Sequence, residues 1–184
     1  PRGDGYRPDG EADPDEAADY HRPQLAAFAA AGADLAGALT LTNVGEAIGI
    51  SRAAADVGIP VAISFTVERD GRLPGGSTLA EAVEAVDAVS PPAYFMVNCA
   101  HPTHIAPGLS TDGVWRERIH GLRVNASTMS HAELDESDEL DAGDPFQLAR
   151  GNAGLRGSLP ALRILGGCCG TDARHVAAMW SHAG

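Results

Sequence analysis

Apolar and polar positions along this chain fall into blocks. Runs such as IPVAISFTV (59–67) and AYFMVNCA (93–100) are apolar almost throughout, and between them lie segments whose apolar residues recur every three or four positions. A continuous apolar run bounded by turn residues marks a strand covered on both faces, and the three-to-four spacing marks an amphipathic helix. Residues 15–32 thus read as a helix with Tyr20, Leu25 and Phe28 as its apolar landmarks and Gly32 as its stop, followed by a strand over 33–42. A helix over 43–58 has Asn43 as N-cap and Gly58 as terminator, and 59–67 is the next strand. The turn-rich stretch 68–76 leads into a helix over 77–89, opened by a capping box from Thr78 to Glu81.

The same rhythm continues with strands over 93–100, 121–127 and 162–167, a short helix or loop over 102–109 and a last helix over 172–183. Residues 1–15 are polar and loop-like. The charge density of HAELDESDELDAGD (131–144) predicts a solvated loop, and 145–160 reads as a poor helix weakened by Gly151, Gly154 and Gly157. About five strand-then-helix units of this kind define an α/β chain with a parallel sheet.

Composition narrows the function. At 184 residues and 44% hydrophobic content the chain is long enough for one globular domain, taken as 1–184. Thirteen basic against 25 acidic residues give a net charge of −12, which argues against nucleic acid or an anionic membrane as partner. No apolar run approaches a membrane span and the N-terminus has no signal-peptide core, so a cytoplasmic location is expected. Glycine-rich dinucleotide and phosphate loops and the serine-hydrolase elbow are all missing.

Chemistry concentrates in the cysteines. Cys99 ends one strand, and Cys168 and Cys169 end another in LRILGGCCGT, so all three thiols leave the same edge of the sheet. In a (βα)8 barrel that edge carries the active site. Three thiolates converging on one point suit a catalytic tetrahedral zinc, with three protein ligands and one open position. Gly166, Gly167 and Gly170 would let the backbone bend enough for adjacent cysteines to share an ion. His101 and His104 follow Cys99 closely but read better as loop or capping residues than as ligands, and His175 as structural. Asn98 and Asn125 end strands on the same edge and are candidates to face a substrate, with Thr40 and Ser64 as weaker ones; Trp115 and Trp180 read as packing residues.

VNC at a strand end, GGCCGT about seventy residues later and His175 beyond it resemble the zinc-dependent homocysteine S-methyltransferases, as do DYHRPQLAAFAAAGAD, NVGEA and GIPVAISFTVERDGRLPGGSTLAEAV. The resemblance covers essentially the whole chain. It implies a TIM-type (βα)8 barrel of which only about the last five βα units are present here, an expectation of a fragment or of completion by another chain. It also implies that Cys99, Cys168 and Cys169 bind zinc and that the homocysteine thiol takes the fourth position. The methyl donor would be a small molecule, with S-methylmethionine, S-adenosylmethionine, betaine and a folate all used around related sites, and methionine would be the product. Leu39 stands where many relatives carry a glutamate near the homocysteine amino group, which leaves that group to other residues.

Two other readings stay open. One is a non-catalytic zinc-binding or assembly domain. The other is a redox protein using Cys168 and Cys169, disfavoured because adjacent cysteines close only a strained ring. Five βα units also leave two open sheet edges and uncovered apolar surface, so a homo-oligomer or an aggregation-prone chain is expected.

Overall fold

The computed structural model describes residues 10–182. The polar opening expected as a loop lies partly outside these residues; 10–13 form no helix or strand. Five strands make one parallel sheet: β1 (Ala36–Leu41), β2 (Val61–Phe65), β3 (Tyr94–Asn98), β4 (Ile119–Val124) and β5 (Ile164–Gly167). Their spatial order is their chain order. A doubly wound sheet reverses its order at a switch point, and no reversal occurs among these strands. Among the described residues β1 and β5 are each paired on one side only.

Local chemistry sets the helix starts. Asp13 caps α1 (Pro14–Ala30), with Pro14 placed where a missing N–H costs nothing. Asn43 caps α2 (Val44–Val57), which Gly58 ends, and α3 (Leu79–Val89) opens with the Thr78–Glu81 capping box read from the sequence. His101 is the N-cap of α4 (Pro102–Gly108). A 3₁₀ turn over Val114–Arg118 leads into β4, and Asp172 caps α7 (Ala173–Ser181). The inner strands β2, β3 and β4 bury most of their side chains, with Phe65 stacked on Phe95 at 6.0 Å and Ile63, Val97 and Leu122 wholly enclosed, while β1 and β5 are partly exposed.

Several expectations need correction. The face of α1 that enters the core carries Ala17, Ala18 and Leu25, while Tyr20 and Phe28 are exposed. α1 lies so close to α2 that only small side chains fit between them, and the aromatic rings are turned outward. Trp115 is buried as packing, but Trp180 is half exposed on the outer face of α7. The segment 145–160, read as a poor helix, forms α6 (Pro145–Leu155) and then a 3₁₀ turn over Arg156–Ser158. Asp144 and Pro145 supply a strong start that outweighs the two interior glycines.

The acidic segment 131–144 is not simply a solvated loop. It begins as a short helix, α5 (His131–Asp135), whose Ser130 and Glu133 form a capping box and whose first side chain, His131, is buried. From there the chain crosses the C-terminal edge of the sheet as a strap and rejoins the body near Ala142, whose carbonyl accepts from buried His175 at 2.7 Å.

Candidate metal centre

The three cysteines meet at the C-terminal edge of the sheet. Their Sγ atoms lie within 4.8 Å of one another, with Cys99 and Cys169 3.5 Å apart. A tetrahedral zinc with Zn–S bonds of about 2.3 Å would set its sulfurs about 3.8 Å apart, so the thiols are already spaced as a small tetrahedral ion would hold them. Soft thiolate donors select zinc or other thiophilic metals over calcium or magnesium.

Each ligand strand is bent at its end to make this possible. Cys99 has φ 57°, one of two non-glycine residues with positive φ among the described residues. Such a conformation costs on the order of 1–3 kcal/mol and persists only where its surroundings hold it. Here the backbone N–H of Cys99 donates to Arg123 O at 3.0 Å, and its carbonyl accepts from Asn125 Nδ2 at 3.0 Å and from His131 Nε2 at 2.6 Å.

Beyond β5, Cys168 N–H donates to Val124 O at 2.8 Å and Ala126 N–H to Cys169 O at 2.9 Å. The turn then closes through Gly170 at φ 77°, with Thr171 Oγ1 donating to Cys168 O at 2.7 Å. The Thr171 hydroxyl folds back so closely that a Cβ on Gly167 would lie 2.0 Å from it. Gly166 is under no such constraint; a Cβ there would meet Arg123 at an ordinary 3.4 Å.

Asn125 joins the two halves. Its Nδ2 donates to the Cys99 carbonyl while its Oδ1 accepts from Cys169 N–H at 3.1 Å. One buried amide thus fixes the backbone of both ligand loops.

Electrostatically the trio is primed for a cation. Hydrogen bonding from the Cys99 thiol pulls Cys168 down to about 5, helped by Cys169 and by the nearby Arg123. Burial pushes Cys169 up, and a thiolate at Cys168 adds to the shift. Burial, then the neighbouring His104, drives His101 down to about 4, which keeps it neutral.

The histidines after Cys99 have other partners. His101 Nδ1 lies 2.8 Å from Thr103 Oγ1 and caps α4, and His104 Nε2 donates to Thr128 O at 3.0 Å. His175 is fully buried and bridges the Asp172 cap to the strap.

Thr40, Ser64 and Asn98, expected to face a substrate, hydrogen-bond to one another. Asn98 Oδ1 accepts from Thr40 N–H at 2.9 Å and from Ser64 Oγ at 2.6 Å, while its Nδ2 donates to Thr40 Oγ1 at 2.8 Å. The network holds Thr40 at φ 61° where the β1–β2 register shifts. Asn98→Ala would leave a buried hydroxyl and a backbone N–H without partners. It should lower the unfolding free energy by about 2–4 kcal/mol, measured by urea denaturation, while leaving metal content unchanged.

A cavity of about 300 Å³ opens beside Cys99 and Cys169. Asn125 lines it from the sheet and the strap roofs it, with Leu134 and Leu140 interleaved among Asp135, Asp138, Glu139 and Asp141. Leu39 lies elsewhere, in a groove along β1 with Leu25 and Phe28. The charge density of the roof alone reads as a solvated face, and the Ser130-x-x-Glu133 capping signature is the sequence signal for the helix that starts it. Nothing in the sequence reveals that His131 is buried against Cys99.

Fold and site together define an α/β protein with a three-thiol centre at the strand ends. Residues 2–182 match the model of the homocysteine S-methyltransferase family, and the chain belongs to that family. No curated protein matches it. Among solved structures it is similar to the homocysteine methyltransferase MmuM from Escherichia coli. The metallated form matches with 21% identity and a TM-score of 0.72 over 98% of this chain and 56% of that one. The oxidized form gives 22% identity and 0.72 over 97% and 56%, and the apo form 20% and 0.69 over 95% and 60%. The chain thus spans a little over half the length of these proteins. Among the described residues no helix is long and apolar enough to cross a membrane.

Proposed function

We propose that the protein transfers a methyl group from a small donor to the thiol of homocysteine, giving methionine, with Cys99, Cys168 and Cys169 as the ligands of a zinc ion. The observation that carries this is the convergence of three thiols within 4.8 Å at the strand ends of a chain from this family. Bound there, zinc would ionise a substrate thiol at its open position and so supply a nucleophile at neutral pH.

The chain's own residues supply placement. Asn125 fixes the two cysteine loops relative to each other, and the strap lines the cavity in which the thiol and the methyl donor must align. As the new S–CH₃ bond forms, the donor's bond to the methyl breaks and its electron pair leaves with the donor. The chain-order winding of the sheet and the partial coverage of the solved relatives support a barrel closed by further strands.

Calorimetry on the zinc-loaded intact protein tests the reading. Homocysteine should bind with release of about one proton, read from the buffer dependence of the heat. Methionine, whose sulfur is already alkylated, should bind far more weakly. Methyl transfer should then be seen with S-methylmethionine, S-adenosylmethionine, betaine or a methylated folate; no transfer from any of the four would overturn the reading and leave the non-catalytic zinc domain.

A further inference from the structure

The carbonyl of the backbone turn at Cys99 is contacted from three directions. Asn125 reaches it from the β4 loop, and Thr66 Oγ1 lies 3.4 Å away beyond β2. The shortest contact comes instead from the strap. His131 Nε2 is 2.6 Å from Cys99 O, and because a carbonyl only accepts, this nitrogen is the donor. The other ring nitrogen, Nδ1, lies 2.9 Å from Glu68 Oε1, which fixes the orientation of the ring. His131 is buried, whereas the Glu68 side chain is about one-third exposed.

We propose that His131, oriented by Glu68, is a positioning residue: it fixes the Cys99 turn, and with it the direction of the thiol, while tying the acidic strap down over the cavity. The proposal rests on the reading of the cysteines as metal ligands. A left-handed turn at a residue with a side chain relaxes unless its surroundings hold it. The Cys99 N–H donates to Arg123 O, and the Cys99 carbonyl is where the remaining contacts on this turn, that of His131 among them, converge. Strap docking and thiol geometry therefore share one hydrogen bond, and loosening either should loosen the other. At the far end of the strap, Asp141 accepts from Gly143 N–H at 3.0 Å and Ala142 accepts from His175, so release at His131 would free one end of a tethered flap.

Two measurements on the intact protein decide it. In metal-free protein, alkylation of each cysteine by iodoacetamide is followed by peptide mass spectrometry. Cys99 should react severalfold faster in His131→Ala and in Glu68→Ala than in the wild type, with Cys168 and Cys169 little changed. Glu68→Gln, which keeps a hydrogen-bonding partner for Nδ1, should behave as wild type. In the second measurement, cobalt(II) is titrated through its thiolate charge-transfer absorption; the two alanine variants should bind it about 10–100-fold more weakly, with Glu68→Gln near wild type.

Unchanged Cys99 reactivity in both alanine variants would overturn the proposal, and so would equal acceleration at all three cysteines, which is the mark of general loosening. If the wild type takes up no cobalt, the metal reading falls and the alkylation result alone decides the role of His131. Should His131→Ala fail to fold, Glu68→Ala at its partly exposed position carries the same test.

Discussion

Cys169→Ser is expected to reduce the zinc content of purified protein from about one per chain to near zero and to take methyl transfer down to background, with the fold intact. Cys169 is exposed and forms no packing core, so its sulfur is dispensable for stability. A serine hydroxyl does not ionise near neutral pH and is a poor partner for a thiophilic ion, so two thiolates remain where three are needed. A free thiol of pKa about 8.5 is only about 3% ionised at pH 7, so loss of the metal alone should cost about thirtyfold in nucleophile concentration. Loss of orientation at the site adds to that.

Elemental analysis and a methyl-transfer assay read both effects. His101→Ala and His104→Ala should keep their zinc, because those rings are engaged with Thr103 and Thr128. Full zinc content in a triple Cys→Ser variant would rule out the assignment of the site.

What the sequence made legible was whatever local chemistry decides. The strands were visible because parallel strands buried on both faces are apolar along their whole length, as in VAISF of β2. Helix starts at Asn43 and Thr78 were visible because an N-cap is a contact between residues two or three positions apart. The cysteines were visible for a similar reason, since each terminates an apolar run and a parallel sheet brings such ends to one edge.

Contacts between distant elements were not legible. The hydrogen bonds among Asn98, Thr40 and Ser64 join three adjacent strands, a pairing that no local pattern in the sequence shows. Nothing in 131–144 distinguishes a solvated acidic loop from one that roofs a cavity, because the difference lies in what His131 and Ala142 touch across the molecule. The apolar period of α1 placed Tyr20 and Phe28 inward, but the close approach of α2 selected the alanines instead.

The join between the cysteine turn and the strap gives the second large effect, at Gly170. Its φ of 77° is matched by that of Gly32, in the turn after α1. Their surroundings differ: a Cβ on Gly32 would meet nothing within 4 Å, whereas one on Gly170 would lie 2.4 Å from the Asp141 carbonyl oxygen and 3.0 Å from the Ala126 methyl. Gly32→Ala therefore measures the dihedral cost alone, expected at about 1–2 kcal/mol. Gly170→Ala carries the same cost plus an overlap that only backbone movement can relieve, typically another 1–3 kcal/mol or so, about 2–5 in all. The backbone that must move is the strap on one side and the Cys168–Cys169 turn on the other. Gly170→Ala should accordingly be the less stable variant in urea, be cleaved faster by protease within 135–141 and bind zinc more weakly than wild type, while Gly32→Ala keeps wild-type zinc affinity and strap protection. Equal stability and equal zinc affinity in the two variants would show that the strap and the cysteine turn are not in the contact on which this coupling depends.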